Sequence, residues 1–154
     1  LRQLIHSYEN GSDPVAFDYS LIRPAGSPIR GFGGTASGSG PLKQLHERAR
    51  SYLDAHVAGE TTRTRLITDL INAVGACVVA GNVRRSAEIA IGSPHDTEFL
   101  NLKNYGTAEH PGPAYDRRDI GWMSNNSVRL ETHDDFKQLP LLAELMMLLR
   151  FHAR

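Results

Sequence analysis

The side chains best equipped for chemistry in this chain are two adjacent arginines, Arg84 and Arg85, set in the run Cys77-Val78-Val79-Ala80-Gly81-Asn82-Val83-Arg84-Arg85-Ser86-Ala87-Glu88-Ile89-Ala90-Ile91-Gly92. A guanidinium carries five donors and keeps its charge, so it turns to water unless an anion holds it. A phosphate can be that anion; Glu88 can be another, and an exposed loop pair is the third reading. A second candidate is the stretch from Arg23 to Gly40, dense in glycine and proline and containing Arg30. Glycine at that density excludes helix and central strand, and lets backbone N–H groups converge on an anion. The third is Ser124-Asn125-Asn126-Ser127, whose amides and hydroxyls must either tie neighbouring loops together or face a ligand.

Other candidates carry less. Gly31-Phe32-Gly33-Gly34-Thr35-Ala36 matches a loose dinucleotide fingerprint, but Ser37-Gly38-Ser39-Gly40 intervenes before a helix opens at Pro41. Lys43 lacks the Gly-Lys-Ser/Thr context of a Walker motif. Cys77, alone on the apolar side of a helix end, reads as a small packed hydrophobe with no catalytic role. His46 and His56 read as surface or partly packed residues, and Glu109, His110 and Asp116 as hydrated loop residues, so no metal site is expected.

The elements that must position these groups follow from periodicity. Leu1, Leu4, Ile5 and Tyr8 mark a helix tail, and the turn from Glu9 to Pro14 ends it. Alternation of Val15, Phe17, Tyr19 and Leu21 predicts a strand over Val15 to Ile22. Pro41 opens a helix to about Val57, with Leu42, Leu45, Ala49, Tyr52 and Leu53 on one face. Gly59 stops it, Thr61 or Thr62 caps the next, and Leu66, Ile67, Leu70, Ile71, Val74 and Cys77 mark its expected buried stripe. A helical hairpin thus feeds the arginine loop, and a strand with Ala87, Ile89 and Ile91 on one face follows. Ser93-Pro94 is expected to start a short helix anchored by Phe99 and Leu102. Tyr105 to Arg118 reads as a surface excursion, Ile120 to Leu130 as a strand, and Thr132 to Phe136 as the start of a last helical region. From Leu141 to Leu149 apolar residues cover nearly every face, a pattern suited to the inside of a larger protein.

At 154 residues the chain is long enough for one domain with a real core. Seventeen basic and seventeen acidic side chains leave no global attraction to nucleic acid or to a membrane surface. One cysteine excludes an internal disulfide and fits a reducing cytoplasm. No apolar run reaches the roughly 20 residues of a bilayer span.

Ala80-Gly81-Asn82-Val83-Arg84-Arg85-Ser86-Ala87-Glu88-Ile89-Ala90, together with Gly26-Ser27-Pro28-Ile29-Arg30-Gly31-Phe32-Gly33-Gly34-Thr35-Ala36-Ser37-Gly38 upstream and Met123-Ser124-Asn125-Asn126-Ser127-Val128 downstream, resembles the adenosylcobalamin-dependent (class II) ribonucleoside-triphosphate reductases. The resemblance runs in the family's order from Asp18 to about Leu139; Arg150-Phe151-His152-Ala153-Arg154 departs from it. It implies an α/β fold: residues 1–154 would be an internal piece of a ten-stranded α/β barrel of the ribonucleotide reductase type, with a helical hairpin between two loops and an uncertain end over 141–154. It implies that Pro24 to Gly31 is the first specificity loop and Ala80 to Ser86 the second. Gly26, Ser27, Arg30, Gly31, Gly81, Asn82, Arg84 and Arg85 would then contact effector or substrate nucleotide, Arg30 at effector phosphates and Arg84 at substrate. The implied activity is replacement of the ribose 2′-hydroxyl by hydrogen through thiyl radical chemistry, supplying deoxyribonucleotides for DNA replication. The implied cofactor is adenosylcobalamin. The implied partners are a ribonucleoside triphosphate substrate, a deoxynucleoside triphosphate allosteric effector and a thioredoxin-like reductant. The radical cysteine, its neighbouring acid and asparagine, and the reducing pair match no residue here, so no catalytic residue is assigned and the piece alone is expected to be inactive. The alternatives are a non-catalytic deoxynucleotide-binding module and an inactive truncated product.

Overall fold

The computed structural model describes residues 1–31, 33–81, 85–105 and 117–131 of the protein. Helix α1 (Arg2–Asn10) presents Leu4, fully buried, to the core and ends at Gly11, whose positive φ of 60° lets its N–H reach the Ser7 carbonyl. Helix α2 (Gly40–Val57) opens with Pro41 and buries Leu45, Ala49, Tyr52 and Leu53 at helical spacing. Gly59, at φ 77°, turns the chain. Thr62 then caps α3 (Arg63–Val79), its hydroxyl accepting from the Arg65 N–H at 3.2 Å. The expected helical hairpin forms, and Leu66, Leu70 and Ala73 of α3 close with α2, Leu4 and Ile120 into one core.

The buried stripe of α3 differs from the expected one. Ile67 and Ile71 are half exposed, whereas Arg65, Thr68, Asp69 and Asn72 are buried. The helix is gripped on a second side by the segment entering at residue 117, and that grip is ionic. Arg117 and Asp69 are 1% and 0% exposed at their side chains, with the Arg117 Nε 2.8 and 2.7 Å from the two Asp69 oxygens and its Nη2 2.6 Å from Oδ1. Arg117 Nη1 also donates to the Leu102 carbonyl. A sequence reading that puts Arg117 in a surface excursion misses this, because hydropathy cannot distinguish a buried paired arginine from a hydrated one. Residues 106–116 of that excursion, and the helices expected over Thr132 to Phe136 and Leu141 to Leu149, lie outside the described residues.

Strand β1 (Glu88–Gly92) pairs in parallel with β2 (Ser124–Val128), with Glu88 opposite Ser124, Ala90 opposite Asn126 and Gly92 opposite Val128. The period of two places Ile89 and Ile91, with Asn125 and Ser127, on an exposed face. The sheet is packed instead through the other set: Glu88 lies against Gly75 of α3, and Gly92 against the Phe99 ring, where a Cβ would overlap. Helix α4 (Thr97–Leu100) is capped by Asp96, not by Ser93; Asp96 Oδ1 accepts from the Phe99 N–H at 3.0 Å, while Ser93 Oγ only accepts from the His95 N–H in the preceding turn. The Phe99 N–H first and the Thr64 hydroxyl second hold the Asp96 carboxyl below its ordinary pKa. The residues before β2 form a tight 3-10 turn (Gly121–Met123) rather than strand.

Val15 to Ile22 is not a strand. Its alternation is real, with Val15, Phe17 and Tyr19 half buried and their neighbours exposed, but among the described residues no strand lies beside it and the run docks on α2. Phe17 stacks on the His46 ring at 3.7 Å between centroids, and the Tyr19 hydroxyl lies 2.8 Å from His46 Nδ1. Leu21, expected on the same side, is 97% exposed.

Removing one member of a buried ion pair leaves the other uncompensated, so Asp69→Ala is expected to cost about 3–5 kcal/mol in chemical denaturation. Arg117→Met with Asp69→Leu together should cost far less than the sum of the single changes. Burial first, then the positive charges of the N-terminus and Arg50, lowers the His46 pKa below 6.5. The unfolded chain therefore takes up that proton more readily. Stability should hold above pH 6.5 and fall as pH drops below it, with a slope that His46→Phe reduces in thermal melts.

Candidate functional site

The glycine-rich stretch folds as a small antiparallel hairpin rather than an open loop. Gly26 N–H donates to the Ala36 carbonyl at 2.9 Å, Ala36 N–H to the Ser27 carbonyl at 2.8 Å, and Ile29 N–H to the Gly34 carbonyl at 3.1 Å, around a bridge between Pro28 and Thr35. Glycine is needed at its turns, since Gly31, Gly33 and Gly34 have φ of 94°, 73° and 87°. At the stem Gly38 has φ 74°, and a Cβ there would lie 3.0 Å from the Ala25 nitrogen. Two demands meet at that position, left-handed backbone and close approach.

Between this hairpin and the C-terminal end of α3 lies a pocket of about 380 Å³. Ile22 and Ile29 on the hairpin side and Cys77 and Val78 of α3 give it apolar walls; Arg23, Thr35 and Ser37 give it polar groups. Gly81 completes it, close enough to Ser37 that a Cβ would sit 3.7 Å from the hydroxyl oxygen. Burial raises the Cys77 thiol pKa, so this cysteine stays protonated and packs as an apolar group. The carbonyl end of α3 carries partial negative charge. An anionic group is therefore favoured on the hairpin side, near Arg23 and the Thr35 and Ser37 hydroxyls, and an apolar ring against Val78 and Ile29. That division suits a ligand with one flat apolar part and one anionic part.

Of the residues singled out in the sequence, Gly81 lines the pocket; Gly26 and Ser27 form the hairpin stem beside it. Arg30 and Gly31 sit exposed at the hairpin tip and do not line it. Arg85 is exposed just before β1, and among the described residues no ion pair joins it to Glu88, whose carboxyl pKa is raised by burial. Asn82 and Arg84 lie outside the described residues. Arg23, Thr35 and Ser37 were not anticipated. Arg23 was the findable one, a cation at the foot of a glycine-rich stretch; it donates from Nη1 to the Pro28 carbonyl at 3.4 Å. Thr35 and Ser37 reach the pocket only because the hairpin closes.

The polar strand divides by face. Ser124 Oγ donates to Asn126 Oδ1 at 3.0 Å, and the Ser124 carbonyl accepts from Lys103 Nζ at 2.7 Å, so this set ties elements together. Burial first, and the Arg117 charge second, lower the Lys103 pKa. Asn125 and Ser127 point to the exposed face. Among the described residues no group of three or more His, Cys, Asp or Glu side chains could hold a metal, and no helix is long and apolar enough to cross a membrane.

A family model described as the insertion domain of B12-dependent ribonucleotide reductase matches residues 4–53, which hold most of α1, the hairpin and most of α2. A probable adenosylcobalamin-dependent ribonucleoside-triphosphate reductase of Dictyostelium discoideum is 42% identical over 136 residues, 88% of this chain and 17% of the relative. The adenosylcobalamin-dependent ribonucleoside-triphosphate reductase of Euglena gracilis is 43% identical over 136 residues, 88% of this chain and 18% of the relative. That of Lactobacillus leichmannii is 41% identical over 118 residues, 77% and 15%. The chain therefore spans about one sixth of the length of these relatives. No solved structure matches.

Gly38→Ala should lower stability by about 1–3 kcal/mol, because it combines left-handed strain with the Ala25 contact. Gly33→Ala, in open space at similar φ, should cost less in the same melts.

Proposed function

Because this chain is related in sequence to the B12-dependent ribonucleotide reductases over most of its length, we propose that it is a segment of a ribonucleoside-triphosphate reductase and that its hairpin pocket binds a deoxynucleoside triphosphate effector. The observation that carries the reading is the meeting of the glycine hairpin with Gly81 at the end of α3 around one cavity of about 380 Å³. Two loops distant in sequence share a single ligand-sized space. A nucleoside would lie against the apolar walls, and its phosphates would run along the hairpin past Arg23 toward Arg30. A ligand held there would favour one arrangement of the hairpin relative to the loop after Gly81, and so bias how Arg84 and Arg85 meet a substrate base.

In this reading the longer protein reduces ribonucleoside triphosphates inside a ten-stranded barrel to which β1 and β2 belong, by thiyl radical chemistry with electrons from a thioredoxin-like dithiol in the cytoplasm. Adenosylcobalamin, named in the relatives' descriptions, supplies the radical-initiating chemistry when bound. The cavities of about 360, 380 and 470 Å³ lined by described residues are each too small for a corrin ring with its side chains, so none of these cavities fits it. No step is assigned to it in this segment, and the residues here bind and position.

Titration calorimetry of the 154-residue chain with the four deoxynucleoside triphosphates tests the reading. Saturable binding is expected, weakened at least about tenfold by Arg23→Ala and by rising salt, as a phosphate contact requires. Arg30→Ala should weaken triphosphate binding more than nucleoside binding. A folded chain that binds none of the four would overturn the proposal.

A further inference from the structure

The two pieces of chain that flank the hairpin both line its pocket, and they are held in different ways. Ser37 and Gly38, which leave the hairpin, run directly into α2 at Gly40. Ile22 and Arg23, which enter it, follow the run from Val15, whose attachment to α2 centres on His46 in the second turn of that helix. His46 is buried; Phe17 stacks on its ring with 15° between the planes, and the Tyr19 hydroxyl lies 2.8 Å from Nδ1. Arg50 adds a bond to the Val15 carbonyl. The Tyr19 carbonyl accepts from the Ile22 N–H at 3.0 Å, a turn that passes the position of Tyr19 on to the first pocket residue. A closed circuit results, from α2 through His46, Tyr19, Ile22 and the hairpin back to α2.

The charges around His46 are of one sign. Lys43 lies 5.3 Å from the centre of the Tyr19 ring and Arg50 lies 5.7 Å from that of Phe17, and the N-terminus of the chain adds a third positive charge. The acids of the elements packed here are engaged elsewhere or face water. Asp18 accepts from the Ser20 N–H and hydroxyl at 2.8 and 3.0 Å, Glu9 of α1 pairs with His6, Asp54 accepts from the Tyr8 hydroxyl, and Glu47 is exposed. A proton added to the buried ring therefore meets no countercharge among the described residues; the Tyr19 oxygen can accept a hydrogen bond but carries no charge to offset it. We propose that His46 is a positioning residue for the hairpin pocket, holding Phe17 and Tyr19 on α2 as a neutral imidazole and releasing them on protonation, so that Ile22 and Arg23 lose their place and ligand binding weakens in acid. Burial first and the positive charges second lower the His46 pKa, so the docked form holds above pH 6.5 and is lost progressively as pH falls below it. The inference rests on the nucleotide reading only for the identity of the ligand; the coupling of His46 to the pocket exists without one.

NMR of the ligand-free 154-residue chain tests it, following the His46 imidazole and the Ile22 and Arg23 amides from about pH 7.5 to about pH 5.5. Both amides are expected to shift with the midpoint of the imidazole. Over the same range calorimetry should show deoxynucleoside triphosphate affinity falling at least about threefold. His46→Phe keeps a ring against Phe17 but cannot titrate; it should abolish the amide step and flatten the affinity profile relative to the wild type, whose ligand carries the same phosphates. His6→Gln, at an exposed histidine of α1, should leave both as they were. Ile22 and Arg23 amides that ignore the His46 midpoint, or an affinity profile that His46→Phe leaves unchanged, would each overturn the proposal. Should His46→Phe fail to fold, the wild-type amides decide alone. A chain that binds none of the nucleotides at any pH defeats the nucleotide reading, and the ligand-free amides still decide the coupling.

Discussion

The ion pair of Arg117 with Asp69 is the constraint on which the described structure depends. Both side chains are essentially without solvent, and the guanidinium also donates to the Leu102 carbonyl. Three separate pieces of chain, α3, the end of the α4 segment and the approach to β2, are thereby fixed to one another. An apolar contact at the same place would tolerate sliding; a bidentate charge pair in a dry environment does not, because each displacement exposes a charge with no water to replace its partner. Tyr52 lies near enough for Asp69 to matter: burial first and that negative charge second hold its hydroxyl well above the ordinary pKa, so α2 also senses the pair.

From this anchor the rest follows in two directions. On one side α3 lies on α2, and the Leu45, Ala49 and Leu53 face meets Leu66, Leu70 and Ala73. On the other, Lys103 ties the Gly121 and Ser124 carbonyls and so sets the start of β2. Parallel pairing then sets β1. Because α3 is held at Asp69 near its middle, its C-terminal turn has a defined position, and there it forms a wall of the hairpin pocket. The hairpin itself is held by its own backbone bonds, so the pocket has one wall set by the core and one set by local turn chemistry. Such an arrangement suits a ligand-responsive site: the first wall supplies a reference and the second can move at small cost.

The chain is similar in sequence to the B12-dependent reductases over most of its length. Among the described residues the glycine hairpin and the polar strand are positioned without a group of three or more side chains that could hold a metal. Cys77, the one thiol, is pushed toward its neutral form by burial.

Local signals were legible in the sequence and non-local ones were not, for a physical reason. Helices α1, α2 and α3, the turn over Glu9 to Pro14, the stop at Gly59, a cap at Thr61 or Thr62 and β1 follow from periodicity and capping chemistry, which act within a few residues. Arg84 and Arg85 stand out in the sequence as two adjacent fixed charges, and the family resemblance rests on short contiguous runs. What periodicity could not supply was the identity of the partner surface. The alternation from Val15 to Tyr19 is present, but whether it makes a strand depends on another strand being beside it, and α2 was there instead. Ile67 and Ile71 read as core, yet the buried sides of α3 went to Leu66 and Leu70 on one flank and to Asp69 and Asn72 on the other, because Arg117 arrives from 48 residues away. The sequence by itself determined the three long helices, the turns that separate them and the exclusion of regular structure from the glycine-rich stretch. Only the tertiary structure decided which faces are buried and that Arg23, Ser37 and Gly81 share one cavity, since those depend on contacts between segments whose separation along the chain leaves no local trace.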